Sequence, residues 1–464
     1  METWIGIDIG TTNCKVGVCN GQYELLELYT MATPRKQTAE GDVYDPEVLG
    51  QKLLEFVEKA ASLGSTRGIG ISSMAEAGAL VDVETGNLVS DLLPWQDPAS
   101  AAFLTEEDRL GDRQRFFHTG LHVAYKYSLY KVLAYRAGRG SVEHLRFLPA
   151  ASLAAWYLTG QMVTDITLAA RTYACNIYKE DYDGGLLERR GLPPDIFPEI
   201  TAGYAGTWRG IRVYVAGHDH VCAAVAAGIS EKNREIFLSL GTTGVMMGCM
   251  PLGELTREDY DSGYVFGRHP DRRQMTWMGA LQSAGASIDW ILEQTGAGYD
   301  IFGRSVCPEP AGILYYPYIN GSGPPQLLHE AGGAFLGLSR DTRREELAAA
   351  VLQGIAFEIR FMLEHRGGAW PGVLKATGGC TKNPVLMQIL ANVTECEIAV
   401  LDCEQAALLG AVMIGRGVTC GSLGVRRRFV PEACHRERYA FLYREYLKFR
   451  PAILAYKRRN IQED

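Results

Sequence analysis

Ile5-Gly-Ile-Asp-Ile-Gly-Thr-Thr-Asn-Cys-Lys-Val-Gly-Val18 joins two apolar runs through a Gly-Thr-Thr-Asn turn and sets one carboxylate beside it. Ile5, Ile7 and Ile9 alternate with Gly6 and Asp8, and Lys15 to Val18 restarts the pattern after the turn, which predicts a β-hairpin. Asp8 falls where strand meets turn. A carboxylate there needs a partner. The Thr11 and Thr12 hydroxyls, the N–H groups after Gly10 and the Lys15 ammonium suit a phosphate and its Mg²⁺, with Asp8 bearing on the metal. The plainer reading is a hairpin whose Asp8 caps its own turn. Phe237-Leu-Ser-Leu-Gly-Thr-Thr-Gly-Val-Met-Met247 repeats the layout through Gly241, Thr242 and Thr243, 231 positions on from Gly10 in a chain of 464 residues. A duplicated domain gives that spacing, each half presenting one phosphate hairpin to a shared cleft.

The length itself argues for two domains, and the polar stretch Glu231-Lys-Asn-Arg-Glu235 places their boundary, giving 1–230 and 231–464. Hydrophobic content of 47% with 22% charge describes a globular chain. A net charge of −8 speaks against a nucleic-acid surface; Arg426-Arg427-Arg428 and Lys457-Arg458-Arg459 read as solvated faces. The apolar runs are too short to span a membrane, and the eleven cysteines, with no Cys-x-x-Cys pair, fit reduced thiols, so a cytoplasmic protein is expected. A homodimer is left open.

Pro46 to Leu63 predicts an amphipathic helix, and Gly68 to Ser72 a buried strand whose end carries Glu76 on a loop before a further strand, Ala79 to Asp82. Trp95 and Asp97 follow. An aromatic ring beside carboxylates suits a sugar or polyol, whose C–H face stacks and whose hydroxyls donate; the bland alternative is a pair of turn carboxylates facing water. Gly120 to Asp165 reads as mostly helical, with Tyr125, Tyr127, Ser128 and Lys131 at its start and a second apolar helix from Leu148 to Leu158. Thr164 to Thr172 reads as a polar loop, or as a helix cap at Thr164 or Asp165. Val213 to Ala216 is a strand, Gly217-His-Asp-His220 its turn, and Val221 to Gly228 a small-residue helix. Two histidines at i, i+2 make a weak metal site, whereas Asp219 at a strand end can take a proton from a substrate hydroxyl. Thr342-Arg-Arg-Glu345 predicts a capping box before a long core helix. Gly378 and Gly379 let a nucleotide approach the backbone, and Asn383 caps a helix begun by Pro384. Glu397 to Leu401 and Gln405 to Gly415 form another strand and helix, and a helix from about Glu437 closes the chain.

These elements in this order resemble the FGGY carbohydrate kinases of the actin-like ATPase superfamily, over essentially the whole chain. The resemblance implies an α/β fold of two ribonuclease-H-like (actin-like) domains flanking a catalytic cleft, ATP mostly on the C-terminal one and sugar mostly on the N-terminal one. It implies that Asp8-x-Gly-Thr-Thr-x-x-Lys15 is the first phosphate motif, Gly217-x-Asp219 the turn of the catalytic base, Ser239-Leu-Gly-Thr-Thr243 the second phosphate motif, and Gly378-Gly379 with Asn383 the adenosine loop. Glu76 and Asp97 fall where that family contacts sugar hydroxyls. The chain departs in three places: Ala99 stands where Trp-x-Asp-x-Arg has its arginine, Ser322-Gly-Pro-Pro325 replaces Gly-Glu-Arg-x-Pro, and Met74-Ala75-Glu76 is neither the Met-His of xylulose kinases nor the Arg-Glu of glycerol kinases. The expected activity is phosphorylation of a small neutral sugar or polyol by ATP. The competing readings are an actin-like ATPase that hydrolyses ATP to water and a sugar-sensing pseudokinase.

Overall fold

Ile5, Ile7 and Ile9 have no exposed surface, and neither have Val16 and Val18 across the hairpin, so the opening alternation folds as the sequence predicts. The structure, a computed structural model, describes residues 1–38, 41–95 and 97–456. Gln96 and the expected basic face Lys457-Arg458-Arg459 lie outside the described residues. Strands β1 (Glu2–Ile9), β2 (Asn13–Cys19) and β3 (Leu25–Ala32) form an antiparallel meander. Strand β4 (Ser65–Ser73) runs parallel to β1 on its other side; β5 (Tyr204–Trp208) is the edge, and β6 (Ile211–His218) runs parallel to β4. The order is β5-β6-β4-β1-β2-β3.

The second half builds the same sheet again. Its strands are β7 (Ile236–Leu240), β8 (Gly244–Pro251), β9 (Val265–Arg268), β10 (Gln274–Leu281), β11 (Val373–Thr377), β12 (Glu397–Leu401) and β13 (Val425–Phe429). Their order is β9-β10-β8-β7-β11-β12-β13, so β10-β8-β7-β11-β12 repeats β3-β2-β1-β4-β6 in both neighbours and directions. Each half is thus a ribonuclease-H-like unit.

Helix α1 (Pro46–Ala61) starts where expected: Asp45 Oδ1 accepts the N–H groups of Glu47 and Val48, Pro46 fills the first turn, and Leu49, Leu53 and Val57 are buried in the core of the first sheet. Gly120 to Asp165 differs from its mostly helical reading. Leu145–Pro149 is a strand antiparallel to Gly78–Asp82, and α2 (Ala150–Thr159) begins only after Pro149. Phe147 and Leu148 are both fully buried, and a run buried on both faces looks alike in sequence whether strand or helix. Helix α3 (Asp219–Ala226) begins at Asp219 rather than Val221, and α4 (Gly285–Thr295) follows β10. The capping box before α5 (Arg344–Arg366) lies one residue later than expected: Glu346, not Glu345, reaches back to the Arg343 N–H at 2.9 Å, while Thr342 accepts from Ser339. Helices α6 (Pro384–Thr394), α7 (Ala406–Gly415) and α8 (Arg436–Ala455) complete the chain.

The two halves exchange helices. In the first half, α3 buries Val221, Ala224 and Ile229 beyond it against Phe237, Met247 and Leu401 of the second sheet. In the second half, α7 packs on β1, β4 and β6 of the first sheet and against α3. Contact is backbone to backbone. A Cβ on Gly410 would stand 1.9 Å from the Cys222 carbonyl oxygen, so only glycine lets the helices meet there.

Candidate active site at the cleft

Strands β1, β4 and β6 are parallel and end at one level, because Asp8 is in register with Ser72 and Ser72 with Gly217. Three loops therefore leave one edge of the first sheet, where ligands of open parallel sheets collect. They carry Asp8 with Gly10, Thr11 and Thr12, then Glu76, then Asp219. Asp8 faces Lys15 across the hairpin, and Ser72 Oγ donates to Asp8 Oδ1 at 3.1 Å. Burial and then the Asp219 charge push the Asp8 carboxyl up to about 7, against the pull of Lys15 and Ser72.

Asp219 occupies the first helical position of α3, 23% exposed, its Oδ1 accepting the His220 N–H at 2.6 Å and lying 3.2 Å from His218 Nε2. Burial raises its pKa, opposed by His220. The ligand-type atoms of His218, Asp219 and His220 lie within 4.8 Å of one another, and burial holds His218 well below the usual histidine range, hence neutral. The stretch from Thr164 to Thr172, expected as a loop or a cap, takes the capped form. Asp165 accepts from the N–H groups of Thr167 and Leu168 at 2.8 and 3.1 Å, and Thr167 Oγ1 accepts the His218 N–H at 2.9 Å, which fixes the turn below Asp219.

Glu76 adopts φ +62° and is 8% exposed. Its Oε1 accepts from Arg171 Nε at 3.0 Å and from a second guanidinium nitrogen, and Lys126 Nζ lies 3.9 Å away. Burial pushes this carboxyl up, but Arg171 and then Lys126 outweigh it and hold it below its ordinary range. Lys131 is fully buried, donates to the Lys126 carbonyl at 2.6 Å, and is pushed down to about 8 by burial against the charges of Glu76 and Asp97. Trp95 Nε1 donates to Thr11 Oγ1 at 3.3 Å, tying the ring to the first Gly-Thr-Thr turn. Asp97 sits differently from a free wall carboxylate: Oδ1 accepts the Ala99 N–H at 3.1 Å and Oδ2 the Ser100 hydroxyl at 2.8 Å, capping the short helix that follows. Arg171 and Lys126 are absent from the sequence reading. Only the polar character of residues 164–172 hinted at Arg171, and nothing local sets it opposite Glu76.

The second hairpin leaves Thr242 and Thr243 exposed. Gly241 O and Thr242 O accept the first two N–H groups of α4, Gly285 at 2.9 Å and Ala286 at 3.1 Å. Gly378, at φ +99°, passes so close to β7 that a Cβ would lie 2.4 Å from Leu240 O, while Gly379 faces open space. Asn383 Oδ1 caps α6 through the N–H groups of Val385 and Leu386, both at 3.1 Å, and its buried Nδ2 has no partner among the described residues. A cavity of about 710 Å³ runs from Trp95 and Lys126 on one side to Thr242, Thr243, Gln282 and Asn320 on the other. Pro324 and Pro325 of the divergent stretch also line it.

Residues 3–226 match the N-terminal domain of the FGGY family of carbohydrate kinases, and residues 236–416 its C-terminal domain. The xylulose kinase of Staphylococcus xylosus is 25% identical over 442 residues, spanning 89% of this chain and 90% of that protein. The glycerol kinase of Gloeobacter violaceus is 27% identical over 427 residues, spanning 84% and 82%. The crystal structure of a xyloylose kinase from Brucella ovis superposes with a TM-score of 0.89 at 22% identity, over 98% of this chain and 99% of that one. The two family matches and the kinases among the relatives define a carbohydrate kinase. This chain belongs to the FGGY family of carbohydrate kinases.

Proposed function

We propose that this kinase transfers the γ-phosphoryl group of Mg·ATP to a hydroxyl of a small sugar or polyol, with ketoses and alditols the first acceptors to test. The sequence division at 230/231 then separates an acceptor half from a nucleotide half. Gly10, Thr11, Thr12 and Lys15 face the phosphates from one side and Gly241, Thr242 and Thr243 from the other, with Gly378, Gly379 and Asn383 at the adenosine. Asp8 fits magnesium: a buried carboxyl pushed up to about 7 partly by Asp219 is relieved by a cation. Bound there, the metal supplies charge neutralisation on the phosphates. Asp219 orients the acceptor hydroxyl and takes its proton, the raised pKa bringing it nearer to neutral, where a base works best. Phosphoryl transfer asks little else of the protein beyond alignment. Lys15 and the hairpin N–H groups hold the donor. Trp95 offers a ring for the acceptor's C–H face.

The observation that supports this reading most is the common level of Asp8 and the Asp219 turn, at the ends of two parallel strands that flank β4 on either side. The test is ADP release with a panel of ketoses, alditols and aldonates, for the parent and for Asp219→Asn. Acceptor-stimulated release is expected. The variant should bind Mg·ATP like the parent and lose roughly 10²- to 10⁴-fold in kcat, the worth of a positioned base. Release without acceptor points to an ATPase, and none at all to a pseudokinase. If Asp219→Asn keeps its kcat, the base lies elsewhere.

A further inference from the structure

Lys126 is the one Lys or Arg among the described residues that line the cleft cavity, and no carboxylate lines it. The Lys126 side chain is 32% exposed, and its nearest carboxylate oxygen, Glu76 Oε1 at 3.9 Å, is beyond hydrogen-bonding reach. That oxygen already serves Arg171. Among the described residues nothing accepts a hydrogen bond from Lys126 Nζ. Behind it, Lys131 adds another cation; of the two carboxylates that bear on it, Glu76 already serves Arg171 and Asp97 has both oxygens committed to its own loop. The wall that looks in sequence like two free acceptors for neutral hydroxyls is therefore a wall of three cations against two engaged carboxylates. An ammonium at a cavity surface whose nearest carboxylate is too far for a hydrogen bond gains from a further anion that can accept one.

We propose that the acceptor is a polyhydroxy acid, an aldonate whose carboxylate is held by Lys126 while one of its hydroxyls lies before Asp219. This rests on the kinase reading of the same site and replaces the neutral acceptor expected from the sequence. An acid of about four to six carbons fits a cavity of this size together with the phosphates. The carboxylate is unchanged in the reaction: the acceptor oxygen bonds to the γ-phosphorus, the bond from that phosphorus to the β,γ-bridging oxygen breaks, ADP leaves with the electron pair, and the hydroxyl proton passes to Asp219. Glu76 Oε2 and Trp95 remain for the rest of the chain of hydroxyls.

The test compares matched pairs, erythronate with erythritol, ribonate with ribitol and gluconate with glucitol, by calorimetric binding without nucleotide and by kcat/KM with saturating Mg·ATP. The parent should prefer the acid of one pair by roughly 10- to 100-fold, the worth of a charge-assisted hydrogen bond, and rising salt should erode that preference. Lys126→Met should collapse the ratio, and Lys126→Arg should restore much of it. If Lys126→Met does not fold, the parent's preference and its salt dependence decide alone. Preference for the alditols, or a ratio that Lys126→Met leaves intact, overturns the proposal. So does a Lys126→Met whose KM rises for ATP alone, since the ammonium then serves the nucleotide. Aldonate binding without any ADP release sinks the kinase reading but keeps the anion site; alditol-stimulated release without acid preference does the reverse.

Discussion

An ionised Asp8 has to be held at the end of a buried strand with Asp219 bearing on it and only Ser72 and Lys15 to ease it. An unfolded aspartate binds its proton only below about 3.9, whereas folded Asp8 keeps it up to about 7. Between those values the folded state carries the extra proton, so stability from this group is present at low pH and lost as pH rises through about 7. Asp8→Asn removes the titration. Without ligands it should melt several degrees above the parent at pH 8, with the gap closing toward pH 5, and Mg·ATP should narrow it by stabilising the parent more. Melting curves from pH 5 to 8.5 check this; a gap independent of pH would show that Asp8 ionises freely.

Among the elements, the contact of α3 with α7 is the one most sensitive to a single atom. Gly410→Ala puts a methyl group into the Cys222 carbonyl and should cost roughly 1–3 kcal/mol in urea unfolding, or more if the helices cannot part. Gly138→Ala, in the helix Ser128–Arg139 with nothing near its Cβ, should be neutral or stabilising by up to about 1 kcal/mol. Equal midpoints for parent and Gly410→Ala would mean that the two backbones do not touch. What the sequence discloses at this scale is what is written locally. The alternation of Ile5, Ile7 and Ile9, the Gly-Thr-Thr turns and the cap at Asn383 depend on neighbours a few positions away, and all are found as read. Leu145–Pro149 was hidden because an apolar run has no period when both faces are buried. Glu76 and Arg171 are 95 positions apart, and no spacing rule joins them. Their pairing, and with it the loss of a free Glu76 Oε1, is legible only once the fold brings the loops of β4 and of the Asp165 cap together.

At the scale of the molecule, Gly10 to Thr12 and Gly241 to Thr243 stand on separate sheets, and transfer to a hydroxyl rather than to water requires the cleft to close. Acceptor and a non-hydrolysable ATP analogue together should compact the protein, read as a smaller radius of gyration in solution scattering; an unchanged radius at saturation with both would argue against closure. No described helix is long and apolar enough to cross a membrane. The exchange of helices between the halves also bears on how the chain is made. The first sheet has all its strands once His218 is in place, yet Leu408 and Ala411, which press on Gly6 and Gly70, belong to a helix near the far end of the chain. A nascent chain on the ribosome therefore carries that sheet with part of one face open until Ala406–Gly415 emerges. The amino-terminal half is translated first but cannot be completed until most of its partner has been made.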